Sequence, residues 1–147
     1  MHPGSMTTST ITVSRAVPGS PDQVFAAWVE ADRLAAWWWP QLAGTTYVVD
    51  ARPGGRYRIQ SPALGATVSG TYTDVDRPRR LAFTWVWQDD GGPASGEDTV
   101  VVTFEAEGDA TTVTVAHTSA EHAPDGGTEQ GWSDVMDRLS QSTSSRS

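Results

Sequence analysis

Along most of the chain apolar and polar residues alternate with the period of a strand, and in a few stretches the period lengthens to that of a helix. Thr10 to Val17 alternates first, with Ile11, Val13 and Val17 on one face. Arg15 shares that face, as a strand-end arginine whose head reaches solvent. Pro18-Gly19 breaks the strand. Ser20-Pro21-Asp22-Gln23 then has the make-up of a helix start: Ser at the cap, Pro and an acid in the first turn, and Gln closing a capping box. Val24, Phe25, Trp28 and Val29 supply the buried side of this helix, which ends near Ala31. Asp32 can cap a second short helix, Arg33 to Trp38, stopped by Pro40.

Alternation then resumes. Tyr47 to Asp50 and Arg56 to Gln60 flank Arg52-Pro53-Gly54-Gly55, a hairpin turn with glycine where φ must be positive. Tyr57 and Ile59 share one face of the second strand, Arg56 and Arg58 the other. Pro62 to Gly65 turns into a third strand, Thr67 to Val75, with Gly70 as the expected bulge. After the turn Asp76-Arg77-Pro78-Arg79, Leu81, Phe83, Trp85 and Trp87 alternate without interruption. An acidic, Gly-rich loop from Asp89 to Asp98 leads to Val100, Val102 and Phe104. Glu107-Gly108-Asp109 is a tight turn before Val113, Val115 and His117, and Ala120 to Gly127 links to the last element. There, from Thr128 to Gln141, Trp132, Val135, Met136 and Leu139 form one helical stripe. Glu129, Ser133, Asp134, Asp137 and Arg138 fill its opposite face, and the Ser-rich tail from Ser140 ends it.

Short connections make the sheet antiparallel. Sheet and helix each have an apolar side to bury, and they bury it against one another. The expected fold is α+β: a curved antiparallel sheet of about seven strands wrapped around a long C-terminal helix, with two short helices between strands 1 and 2. Residues 10–141 form one domain, between flexible segments at 1–9 and 142–147.

Composition narrows the functions. The 147 residues are 37% hydrophobic with seven Trp, enough for a real core. The absence of Cys excludes disulfides, thiolate metal sites and a Cys nucleophile. No run approaches the roughly 18 apolar residues of a membrane span, and the N-terminus does not resemble a signal peptide. A soluble cytoplasmic protein is the simplest reading, with no membrane partner; Met6, after His-Pro-Gly-Ser, is an alternative start. The net charge of −8 repels phosphate backbones, so nucleic acid is not expected as a partner. All ten basic residues are Arg, which rules out Schiff-base and Lys-base chemistry. Trp37-Trp38-Trp39-Pro40 is the densest aromatic site. Consecutive helical residues diverge by about 100°, so at least one indole lies exposed or lines an opening. Such an indole would serve a cavity wall or a partner contact, homodimerisation included.

Taken in order, several of these pieces resemble one family. They are the strand ending in Arg15; Pro21-Asp22-Gln23-Val24-Phe25-Ala26-Ala27-Trp28; Leu34 to Pro40; Asp50-Ala51-Arg52-Pro53-Gly54-Gly55-Arg56-Tyr57; Gly70-Thr71-Tyr72; Pro78-Arg79-Arg80-Leu81-Ala82-Phe83-Thr84-Trp85; Thr111 to His117; and Gly131-Trp132. The set resembles the SRPBCC, or START-like helix-grip, superfamily, in its branch named after the activator of the heat-shock-protein-90 ATPase. Trp39 departs from the family, which usually has a small residue there, and the final helix stops early for the family. The resemblance implies a seven-stranded sheet around the C-terminal helix and a hydrophobic cavity between them. Members include small-molecule binders, polyketide cyclases, lipid carriers and cochaperone domains, so the fold leaves function open.

Among candidate functional groups, His117 shares an apolar strand face, either as a satisfied core residue or as a weak candidate acid–base group at a cavity mouth. His117, Glu121 and His122 lack any metal-ligand spacing, so no metal is expected, and nothing calls for a cofactor. Asp50 and Arg52 suit a local ion pair at the hairpin. Arg56 and Arg58 suit cross-strand pairs with Asp74 or Asp76. Tyr57 and Tyr72 point inward, where each hydroxyl needs a partner or a ligand. No serine elbow, phosphate loop or dinucleotide fingerprint is present. The leading expectation is a hydrophobic, possibly aromatic, small molecule bound between sheet and final helix. The expected lining is Trp38, Tyr57, Ile59, Tyr72, Phe83, Trp85, Val102, Val115, His117, Trp132 and Met136. The alternatives are a cyclase or dehydratase using His117 or a Tyr and, ranked last, a cochaperone-like interaction domain.

Overall fold

The computed structural model describes residues 9–38, 44–89, 97–119 and 126–144. Seven strands form where alternation places them: β1 (Ser9–Pro18), β2 (Thr46–Val49), β3 (Arg56–Ser61), β4 (Ala66–Asp76), β5 (Arg80–Asp89), β6 (Asp98–Glu107) and β7 (Ala110–Ser119). Helices α1 (Pro21–Val29) and α2 (Ala31–Leu34) follow β1, and α3 (Gly126–Ser144) follows β7. The sheet runs β1-β7-β6-β5-β4-β3-β2, with every neighbouring pair antiparallel. Thus β2 to β7 form a meander and β1 joins its far edge. The fold is the α+β grip expected from the sequence. Among the described residues no helix is long and apolar enough to cross a membrane.

Local chemistry starts α1 as its sequence predicts. Ser20 Oγ accepts from the Gln23 backbone N–H at 3.2 Å, and Gln23 Oε1 accepts from the Ser20 N–H at 3.0 Å. The second helix differs from expectation. It begins at Ala31, with Glu30 rather than Asp32 at the cap, and Glu30 takes the Arg33 guanidinium at 2.7 Å. Past Leu34 the chain continues as turns, and both Trp37 and Trp38 are buried. Consecutive positions of a regular helix diverge too far for both indoles to be held inward as well as they are here. Trp39 lies outside the described residues, as do Glu121, His122 and most of the acidic loop after Asp89.

Two glycines act through close backbone approach. A Cβ on Gly55 would stand 2.0 Å from the Asp50 carbonyl oxygen, which tightens the β2–β3 turn. A Cβ on Gly70 would stand 1.9 Å from the Thr84 carbonyl oxygen, so β4 and β5 can cross there only at glycine. The bulge expected at Gly70 falls instead between Tyr72 and Asp74, where the β4–β5 register shifts.

The inner stripe of α3 (Trp132, Val135, Met136 and Leu139) is buried as its spacing requires. The Ser-rich sequence does not end the helix at Ser140. Leu139 anchors that turn at 0% exposure and Ser140 Oγ donates to the Ala16 carbonyl at 3.2 Å. Arg15 does not simply reach into water: its Nε bonds Asp137 at 2.7 Å and its Nη2 bonds Ser133 Oγ at 2.5 Å, tying β1 to α3. Arg56 and Arg58 form no ion pair among the described residues; Asp74 and Asp76 are taken by Arg80 and Arg79.

Candidate functional site

Helix α1 packs against β6 and β7 and α2 against β2, and a space lies between them and the strands in the middle. Trp28 from α1, Leu34 from α2 and Trp38 beyond it form the roof. Tyr57 and Ile59 from β3, Tyr72 from β4, and Leu81, Phe83 and Trp85 from β5 form the floor and walls. Alternation puts each of these strand residues on the same face of the sheet. The space is partly open to solvent, and the part a water-sized body can reach is about 30 Å³. For scale, an engineered apolar cavity of roughly 150 Å³ takes benzene. The aromatic side chains therefore fill most of the room that the curvature provides: Trp38 lies 5.9 Å from Trp85, and Tyr57 lies 5.2 Å from Phe83, ring centre to ring centre.

Of the expected lining, Trp38, Tyr57, Ile59, Tyr72, Phe83 and Trp85 meet at this cavity. Val102, Val115, His117, Trp132 and Met136 are not among the residues that line it; they belong to the core that α3 shares with the sheet. Trp132 stands behind the cavity, 5.2 Å from Trp85 and 5.3 Å from Trp38, and supports its wall. Trp28, Leu34 and Leu81 line the cavity although their spacing marks them only as core. A core residue and a lining residue have the same sequence signature, and the difference is a gap of a few ångströms.

The tyrosines of the cavity are tuned by burial. Burial pushes the Tyr57 hydroxyl well above the ordinary tyrosine range, with the neighbouring Tyr72 adding to the effect. Tyr72 is pushed up as well, by burial first and then by the Asp50 carboxylate. Both hydroxyls thus keep their protons. Tyr57 donates its own to the Thr84 carbonyl at 2.7 Å. Tyr47 closes the roof from β2 by donating to the Trp38 carbonyl. At the hairpin, Asp50 and Arg52 form the expected local pair at 3.0 Å.

His117 belongs to a separate polar network. Its Nδ1 accepts from Trp132 Nε1 at 2.9 Å, and its Nε2 lies 2.8 Å from Asp98 Oδ2. An indole N–H is only a donor, so Nδ1 must offer its lone pair and Nε2 carries the proton that Asp98 accepts. Both nitrogens are engaged and the residue is 2% exposed, so acid–base work would first require breaking one of these bonds. Asp98 was not among the candidates from the sequence. It continues the alternation of Val100, Val102 and Phe104, and a carboxylate on that apolar face demands a partner, which is the signal that points to it. Among the described residues no three His or acidic side chains gather in metal-binding geometry.

A family model described as activator of Hsp90 ATPase homolog 1-like protein matches residues 18–143. The chain belongs to that family. Solved structures with the same fold include protein Mll3558 from Rhizobium loti, 24% identical with a TM-score of 0.77, covering 92% of this chain and 97% of that one. CalU16 from Micromonospora echinospora is 23% identical with a TM-score of 0.64, over 92% of this chain and 76% of that one. DynU16, a protein in the dynemicin biosynthetic locus, is 25% identical with a TM-score of 0.72. The match covers 90% of this chain but only 46% of DynU16. No curated protein was matched.

Proposed function

We propose that the protein binds a hydrophobic, aromatic small molecule in the cavity between α1–α2 and β3–β5. The observation that carries this reading is the lining: nine side chains, all aliphatic or aromatic, none charged. Ligand sites are typically concave and apolar with a few polar groups that set orientation. The limited free volume means that a small head group enters first and that a ring is held at the open side or follows only as the aromatic walls move apart. The half-buried Trp85 is the wall residue with the most freedom to do so.

Native mass spectrometry of freshly purified protein, set against its denatured mass, tests this reading. A non-covalent excess mass lost on denaturation is the expected result. A bare mass, followed by no response of Trp fluorescence to a panel of aromatic and acyl compounds, would sink it.

A second reading, a cyclase or dehydratase acting on a biosynthetic intermediate, is supported by the likeness to DynU16 and its locus. It predicts that a captured compound changes mass on standing with the protein, and an unchanged compound would argue for carriage alone.

A further inference from the structure

One buried donor in the cavity wall, the Trp28 indole, has no acceptor among the described residues. Trp28 is 4% exposed, and its Nε1 has no hydrogen-bond partner. Tyr72, also 4% exposed, lines the same cavity and brings a hydroxyl that burial keeps protonated. The buried donors of three other aromatic residues are satisfied: Trp37 Nε1 by the Ala27 carbonyl at 3.0 Å, Trp132 Nε1 by His117, and Tyr57 Oη by Thr84. A buried donor without an acceptor costs on the order of 1–3 kcal/mol, and native proteins rarely leave one without cause. Trp28 and Tyr72 line one cavity, and both carry a group that offers a proton.

That demand is chemically selective. An indole N–H donates and never accepts, so an ammonium ligand, which has no lone pair, would leave Trp28 unpaired. A carboxylate would accept, but it would enter a lining with no cation to offset its desolvation. A pure hydrocarbon satisfies neither donor. Size points the same way, because about 30 Å³ takes a carbonyl head but not a ring. Resting on the binding reading above, we infer that the ligand class is neutral aromatic carbonyl compounds, such as aryl ketones and quinones. The carbonyl oxygen enters the cavity and accepts from Trp28 Nε1, with the Tyr72 hydroxyl as a second donor, while the ring rests on the Trp85 side.

Three probes of similar shape test this: tetralin, 1-tetralone and tetralin-1-carboxylate, titrated into uniformly labelled protein and followed by the indole N–H resonances. The ketone should bind about tenfold tighter than the hydrocarbon, as one neutral hydrogen bond allows. The carboxylate should bind more weakly than the ketone, and the Trp28 indole proton should move downfield with the ketone alone. Trp28→Phe assigns that resonance. If this variant does not fold, Tyr72→Phe, which removes only a hydroxyl, should still narrow the gap between ketone and hydrocarbon. Equal binding of ketone and hydrocarbon would overturn the carbonyl inference and leave the binding reading standing. A ketone preference without movement of the Trp28 resonance would overturn the assignment of the donor. Binding of none of the probes would remove the aromatic-ligand reading, and the inference with it.

Discussion

His117 joins three elements through two hydrogen bonds, from Trp132 of α3 and to Asp98 of β6, so its loss should register first as stability. His117→Leu leaves both partners unpaired and should lower stability by about 2 kcal/mol in urea titrations. An unchanged midpoint would mean that the network is not structural. The cavity tyrosines give a pH test. Because burial raises the pKa of Tyr72 in the folded state, folding favours the protonated phenol. Its contribution is complete below the ordinary tyrosine value near 10 and is lost as pH rises through it toward the folded value. The urea midpoint should therefore fall above about pH 10, and Tyr72→Phe should fall less steeply; parallel curves would refute the assignment. At this scale the sequence named His117, Tyr57 and Tyr72 but not their partners. Asp98 lies 19 residues from His117 and Asp137 lies 122 from Arg15, separations that only the fold closes.

Element boundaries follow from local rules wherever those rules act alone. The capping box at Ser20, the hairpin at Gly54-Gly55 and the apolar stripe of α3 are all legible because each depends on residues within a turn or two. The extent of α2, the end of α3 and the site of the bulge were not, because each is settled by contacts from another element. Two glycines separate these cases experimentally. Gly70→Ala drives a Cβ into the backbone of β5 and should destabilise by roughly 2 kcal/mol or more. Gly131→Ala, on exposed α3 with nothing within 4 Å of the added Cβ, should instead stabilise by about 0.5–1 kcal/mol. Thermal melts of the two variants moving in the same direction would contradict this account.

Across the whole molecule, the described cavity and the core beside α3 should respond differently to added volume. Met136 is fully buried and outside the cavity, so Met136→Trp should overpack the core and destabilise by about 1–3 kcal/mol. Ile59 lines the cavity, so Ile59→Phe should fill it and abolish the tighter binding of 1-tetralone with a stability change below about 1 kcal/mol. Calorimetric titration with 1-tetralone and a urea titration of both variants would check the contrast. Equal destabilisation by the two changes would mean that the cavity is as full as the core. By itself the sequence determined the strand and helix order, the antiparallel meander, the gripping helix and the family, since periodicity and turn chemistry are local and repeat along the chain. Only the tertiary structure decided that Trp28, Leu34 and Leu81 join the lining of the cavity, and that His117 is bonded on both nitrogens. Those outcomes depend on differences of an ångström or two in how bulky side chains meet, and no pattern of polar and apolar positions records them.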